Sequence, residues 1–185
     1  MKKAILIFLA ALAAQVPAPA AATTPQAYNV LLAGGDEPNA IRIWLTADGR
    51  QYVIDSVVPL EVGGTVCINP EGKTNELVCE ASSIASFEVN SGGGNDEVSV
   101  AVEIAVPVTM RGGSGDDVLL GGSGPDKLIG GTGNDRLAGG RGHDFLYGCP
   151  GDDVLLGGPA ADTLRGGPGA DFLRGGPGDD VERQI

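Results

Sequence analysis

Residues 112–183 divide without a gap into eight nonapeptides: GGSGDDVLL, GGSGPDKLI, GGTGNDRLA, GGRGHDFLY, GCPGDDVLL, GGPAADTLR, GGPGADFLR and GGPGDDVER. The sixth position is Asp in every copy: Asp117, Asp126, Asp135, Asp144, Asp153, Asp162, Asp171 and Asp180. The eighth is Leu in the first seven copies and Glu182 in the last. The copies hold 22 glycines, and a glycine costs about 0.5–1 kcal/mol relative to alanine when ordered. A strict period also brings like charges together. A chain built this way needs something from outside itself to offset both terms. An earlier stretch, SGGGNDEVS (91–99), fits the same template through Asp96 and Val98, set back from Asp117 by two repeats and three further residues.

The pattern resembles the hemolysin-type, or repeats-in-toxin (RTX), calcium-binding array, whose nonapeptide G-G-x-G-x-D-x-U-x forms a parallel β-helix, U being a large apolar residue. The resemblance covers residues 112–183 closely and 91–111 loosely. It implies an all-β fold, a parallel β-roll or β-helix solenoid with 18-residue turns, preceded by a β-rich N-terminal region. It also implies that each calcium ion bridges the loops of consecutive turns.

The residue types fit that architecture. The last three positions of each repeat form a short strand whose middle side chain, the Leu, points inward. The first six form a turn in which glycine permits positive φ and close approach of backbones. Repeats two apart stack, so Asp117, Asp135, Asp153 and Asp171 share one edge and Asp126, Asp144, Asp162 and Asp180 the other. Stacked aspartates about 5 Å apart repel by roughly 3 kcal/mol at an effective dielectric of 20. A divalent cation between turns removes the repulsion. Calcium takes six to eight oxygens at about 2.3–2.6 Å, whereas magnesium demands a tighter octahedron and keeps water. The aspartates supply charge. The expected carbonyl donors are Gly112, Gly115, Gly121, Gly124, Gly130, Gly133, Gly139, Gly142, Gly166 and Gly169. Four loops per edge leave three gaps, so about six ions are expected, and Asp96 adds one more if its insertion loops out. Cys149 and Ala160 stand in glycine positions, and the gaps around Asp162 are expected to bind more weakly.

The bulk numbers agree. The formal net charge is −12, which favours cations over nucleic acid as partners. Aromatics are only 4%, so a large conventional core is not expected. Lys2 and Lys3, the apolar run AILIFLAALAA (4–14) and small residues at 18–22 read as a cleaved signal peptide; the run is too short to span a bilayer. The expected organisation is a signal at 1–22, a β-rich region at 23–110 and the calcium-binding roll at 111–185, with no membrane span in the mature chain. Asp48-Gly49 within AIRIWLTADGRQYVIDSVV is a hairpin signal. In an exported protein Cys67 and Cys79, bracketing a polar loop, read as a disulfide worth roughly 3 kcal/mol; Cys149 is left over.

No catalytic set emerges. His143 sits at a variable turn position, and no H-E-x-x-H, G-x-S-x-G or C-x-x-C occurs. Phe145, Tyr147 and Phe172 are expected to point outward. The sequence thus describes a secreted, non-enzymatic calcium-binding protein that folds outside the cell. A structural or adhesive cell-surface spacer and an accessory module of a secreted hydrolase are the alternatives. A cell-surface or self-association partner is left unnamed.

Overall fold

The nine-residue period of the sequence becomes a strand every nine residues. The computed structural model describes residues 28–56, 61–62, 67–68 and 75–184. The expected signal at 1–22 and the segment 23–27 lie outside the described residues. The N-terminal strands are β1 (Tyr28–Ala33), β2 (Ala40–Leu45), β3 (Gln51–Ser56), β4 (Glu61–Val62), β5 (Cys67–Ile68) and β6 (Glu76–Glu80). A single 3₁₀ turn, Ala81–Ser83, leads into β7 (Ile84–Gly93), β8 (Glu97–Val100) and β9 (Val108–Ser114). Then come β10 (Val118–Leu120), β11 (Lys127–Thr132), β12 (Arg136–Ala138), β13 (Phe145–Tyr147), β14 (Val154–Leu156), β15 (Thr163–Arg165), β16 (Phe172–Arg174) and β17 (Val181–Arg183).

Two sheets result, and from β7 onward the chain alternates between them. One runs β17-β15-β13-β11-β9-β7-β1-β4, the other β16-β14-β12-β10-β8-β2-β3-β6-β5. From β7 onward every pairing is parallel with an 18-residue register, Leu119 on Leu137 and Leu128 on Leu146, except that β7 meets β9 and β8 meets β10 21 residues on. This is the parallel β-roll that the period implies. Its turns continue past the eight repeats: β7, β8 and β9 stack in the same way, and β1 and β2 pair in parallel with β7 and β8.

The core is two columns of inward side chains. One column runs Ile41, Val98, Leu119, Leu137, Leu155, Leu173 and the other Leu32, Val89, Met110, Leu128, Leu146, Leu164. All are buried except Leu173, which is partly covered. Among the described residues no strand follows β16 on that sheet, and on the other sheet the position opposite Leu164 is Glu182, which is exposed. Glu182 thus puts a charge at the inward position of the last described strand, where the other repeats have Leu.

The lead-in is more conventional. β2 and β3 form the hairpin expected at Asp48-Gly49, with Gly49 at φ +70° and Asp48 Oδ1 accepting from Thr46 Oγ1 (2.6 Å) and Arg50 N–H (3.1 Å). Tyr52 and Phe87 meet edge to face at 5.1 Å. Cys67 and Cys79 lie opposite each other on β5 and β6 and form the expected disulfide. The run EVSVAVEIAVPVTM, which reads as one β-prone stretch, is two strands. Residues 101–107 leave the sheet between them and absorb the three extra residues, while Ile104 turns inward and is buried. Among the described residues no helix is long and apolar enough to cross a membrane.

Candidate metal centre

At each end of the repeat strands the chain turns through G-G-x-G-x-D, and the sixth residue closes the turn. Each Asp backbone N–H donates to Oδ1 of the Asp one turn later. On one edge the chain of bonds is Asp96 to Asp117, Asp117 to Asp135 and Asp135 to Asp153, all 2.8 Å, then Asp153 to Asp171 at 3.0 Å. On the other it is Asp126 to Asp144, Asp144 to Asp162 and Asp162 to Asp180, all 2.8 Å. The structure thus places the eight repeat aspartates in the two columns expected. Asp96 joins the first column. In the second, the place above Asp126 is taken by Val108, whose N–H donates to Asp126 Oδ1.

All of these carboxylates but Asp171 and Asp180 are buried. Asp117, Asp126, Asp135, Asp144 and Asp153 are each 1% exposed. Oδ1 is used by the column, but Oδ2 of Asp96, Asp117, Asp135, Asp144, Asp153 and Asp162 has no hydrogen-bond partner. Buried polar atoms are nearly always paired, and an unpaired charged one is very costly. At Asp126, Oδ2 accepts the Gly122 N–H at 2.9 Å. Burial pushes Asp135 and Asp144 up to about 7, with neighbouring carboxylates adding to it and a backbone N–H opposing. Burial likewise pushes Asp117 and Asp126 up to about 6.

The first glycine of each turn explains why it has no side chain. A Cβ on Gly112, Gly130, Gly139 or Gly166 would overlap Oδ2 of its own turn's Asp. The same holds at Gly148, Gly157 and Gly175, which the sequence-based expectation did not include. The carbonyl of the next turn opens into the same space. Gly130 O lies 2.6 Å from the point where a Gly112 Cβ would be, Gly166 O 2.7 Å from that of Gly148, and Gly175 O 2.6 Å from that of Gly157; Gly139 O stands likewise beside Gly121. The cradles at Gly112, Gly148 and Gly157 therefore join an unpaired anionic oxygen, of Asp117, Asp153 and Asp162, to a carbonyl of the following turn. Of the fourth-position glycines, Gly115, Gly133, Gly142 and Gly169 adopt positive φ and lie against the carbonyl of the preceding turn. Gly124 is crowded instead by the carbonyls of Ala105 and Val106, at 2.8 and 2.6 Å from its Cβ position.

Cys149 and Ala160 occupy second- and fourth-position slots and are held at φ +78° and +101°. Side chains rarely adopt such angles, at a cost of about 1–3 kcal/mol each. Cys149→Gly is expected to raise the stability of the calcium-loaded protein by about 1 kcal/mol, read as a melting temperature a few degrees higher. The free Cys149 thiol is half-buried, and burial pushes its pKa up, so it is a poor nucleophile.

The fifth position, variable in sequence, is ordered on one edge only. Asn95 Oδ1, Asp116 Oδ1, Asn134 Oδ1 and Asp152 Oδ1 accept in turn from the N–H groups of Asp116, Asn134, Asp152 and Ala170, at 2.7–3.0 Å. On the other edge, His143 meets Ala161 O at 3.0 Å as an exposed turn residue. Phe145 and Phe172 are exposed as expected, but they lie on different sheets and form no common patch. Tyr147 is half-buried, with Lys127 Nζ 5.9 Å from its ring centroid.

Among the described residues no three His, Cys, Asp or Glu side chains gather at one point. The donors are a single orphaned carboxylate oxygen per cradle and backbone carbonyls, an all-oxygen set that suits a hard cation and not zinc. The RTX calcium-binding nonapeptide repeat (4 copies) matches residues 111–146 and again 147–182. Residues 111–182 are RTX repeats. The RTX block therefore carries the calcium-binding sequence on a β-solenoid. No curated protein and no solved structure matched the chain.

Two groups of residues around the RTX block escape the nonapeptide template. Asn39 stands above Asp96 in the first column, and its N–H donates to Asp96 Oδ1 at 2.7 Å. The signal for it is GGDEPNAIR (34–42), a degenerate nonapeptide with Asn in the Asp position and Glu37 in a glycine position. Ser91 begins the next turn where the RTX turns begin with glycine.

Proposed function

We propose that this is a secreted calcium-binding protein whose RTX block takes up calcium between stacked turns and folds as it does so outside the cell. The observation that carries the reading is the row of buried, unpaired Oδ2 atoms of Asp117, Asp135, Asp144, Asp153 and Asp162, each facing the first glycine of its turn. A calcium ion there meets Oδ2 and the carbonyls of adjacent loops. Its charge cancels the repulsion along each column. Six turns begin with glycine, carry the Asp and are followed by a turn that also begins with glycine: those of Asp117, Asp135 and Asp153 on one edge and of Asp126, Asp144 and Asp162 on the other. The carbonyls assigned to them include Gly112, Gly115, Gly121, Gly124, Gly130, Gly133, Gly139, Gly142, Gly166 and Gly169, to which Gly148, Gly157 and Gly175 are added. The site at Asp162 uses the strained Ala160 turn and is the weakest on its edge.

The export reading rests on the N-terminal segment, with its two lysines and eleven-residue apolar run. Modules that work outside cells bind calcium at about 10⁻⁴–10⁻³ M, so the sites stay empty in the cytosol. Calcium bound to the folded state alone adds to folding stability, which ties folding to arrival outside. The protein acts as a calcium-dependent structural element and not as an enzyme. Isothermal titration of the chelator-stripped mature protein is expected to show about six calcium ions per chain. No uptake at millimolar calcium would contradict the reading.

A further inference from the structure

Three neutral side chains stand at the ends of the column that carries Asp117, Asp135 and Asp153. At the top, Asn39 Nδ2 donates to Glu37 O at 2.7 Å, to Ser91 O at 2.9 Å and to Asp96 Oδ1 at 3.2 Å. Glu37 holds the fourth position of its own turn and Ser91 the first position of the next. Ser91 O thus stands where the RTX turns bring the first-position carbonyl of the following turn beside the Asp. A Cβ on Gly34, the first residue of this turn, would lie 2.7 Å from Asn39 Nδ2, just as a Cβ on an RTX glycine meets Asp Oδ2. The amide nitrogen is a donor, carries no charge and reaches the carbonyls by itself.

One turn lower, Ser91 fills the cradle that glycine leaves open elsewhere. It is fully buried, and its Oγ lies 3.1 Å from Gly112 O and 3.2 Å from Arg111 O. Gly112 O is the first-position carbonyl of the following turn. At the bottom of the same column, Gln184 Nε2 donates to Asp171 Oδ2 at 2.8 Å and to Gly169 O at 3.3 Å, again a carboxylate and a fourth-position carbonyl. Asn39 and Gln184 each bring a donor to an Asp carboxylate and a fourth-position carbonyl, whereas Ser91 brings its hydroxyl to carbonyls alone.

We infer that Asn39 takes the place of calcium in the first turn of the solenoid and that the Ser91 side chain closes the cradle of the second, making the N-terminal turns a metal-independent seed for the RTX block. Gln184 closes the far end of the column in the same way. The inference rests on calcium filling the RTX cradles. The strands before the block suit a seed: they include antiparallel pairs β2–β3 and β3–β6, the Cys67–Cys79 disulfide and the Tyr52–Phe87 contact, none of which needs an ion. The only tryptophan, Trp44, lies in β2 within the seed and reports on it.

Two measurements on the full mature chain test this. In the wild type, acrylamide quenching of Trp44 is expected to be the same with EDTA as with millimolar calcium, while the far-UV β-signal falls on chelation. Trp44 becoming as accessible as in urea when calcium is removed overturns the inference. Native mass spectrometry with calcium alone is expected to count six ions on the wild type and seven on Ser91→Gly, the added ion held by Asp96, Gly94 and Gly112. Equal counts in a Ser91→Gly protein with native Trp44 quenching also overturn it. A wild type that binds no calcium fails the function proposal instead, whatever Trp44 does.

Discussion

Stripped of calcium, the protein is expected to be poorly folded in its repeats at pH 7.5 and to regain β-structure on acidification to pH 4.5. The cause is the buried carboxylate column. Asp135 and Asp144 are pushed up to about 7 and Asp117 and Asp126 up to about 6, from an ordinary value of 3.8, chiefly by burial. The folded state therefore holds more protons than the unfolded chain between about pH 4 and pH 7. By linkage, stability falls as pH rises wherever the folded state binds the more protons. The contribution is fully present below the unfolded value and is lost as pH rises through 6–7. Far-UV circular dichroism of metal-free protein across this window checks the sign. A calcium-free chain folded as well at pH 7.5 as at pH 4.5 would contradict it. With calcium present the order reverses, because protons and calcium compete for the same oxygens, and affinity is expected to weaken below about pH 6.

The second large effect comes from a single methyl group. Gly130→Ala places a Cβ on top of Asp135 Oδ2, with Asp135 Cγ at 2.7 Å and Cβ at 2.8 Å. Backbone on both sides is fixed by the stacked turns, so the carboxylate must move out of its cradle. Overpacking of this kind costs about 1–3 kcal/mol, and the loss of the ion at that cradle adds to it. The expected result is one calcium fewer per chain and a clear fall in melting temperature in calcium. Gly35→Ala is the control: its Cβ meets nothing within 4 Å and its φ is not positive. It is expected to behave as wild type. Normal calcium uptake by Gly130→Ala would show that the cradle is not where the ion sits.

Much of this architecture was legible because the repeats state it nine residues at a time. The eighth-position leucines fall on the inward column and the sixth-position aspartates on the turns, since a period of two within each strand and of eighteen between turns leaves little choice. The disulfide and the hairpin at Asp48-Gly49 were also readable, from cysteine spacing and turn chemistry. Asn39 was not. Its partner Asp96 is 57 residues away, with the β3–β6 excursion between them, and its turn has lost two of the residues that define the template. The division of labour between Oδ1, bonded along the column, and Oδ2, left for a cation, is a matter of side-chain rotation that no residue identity encodes. The ladder of Asn95, Asp116, Asn134 and Asp152 was hidden for another reason. Read in chain order the fifth position alternates between two edges, and only folding separates them. Cys149 fits the repeat geometry at the cost of a strained backbone, and nothing in the structure explains why it replaces glycine.

The central claim is that calcium, and not the thin leucine core, holds the RTX block together near neutral pH. Circular dichroism of the mature protein at pH 7.5, first in EDTA and then titrated with calcium, tests it most directly. The β-signal is expected to rise cooperatively as calcium passes through the sub-millimolar to millimolar range, with magnesium failing to replace it. A β-signal of the same size in EDTA and in calcium would contradict the account.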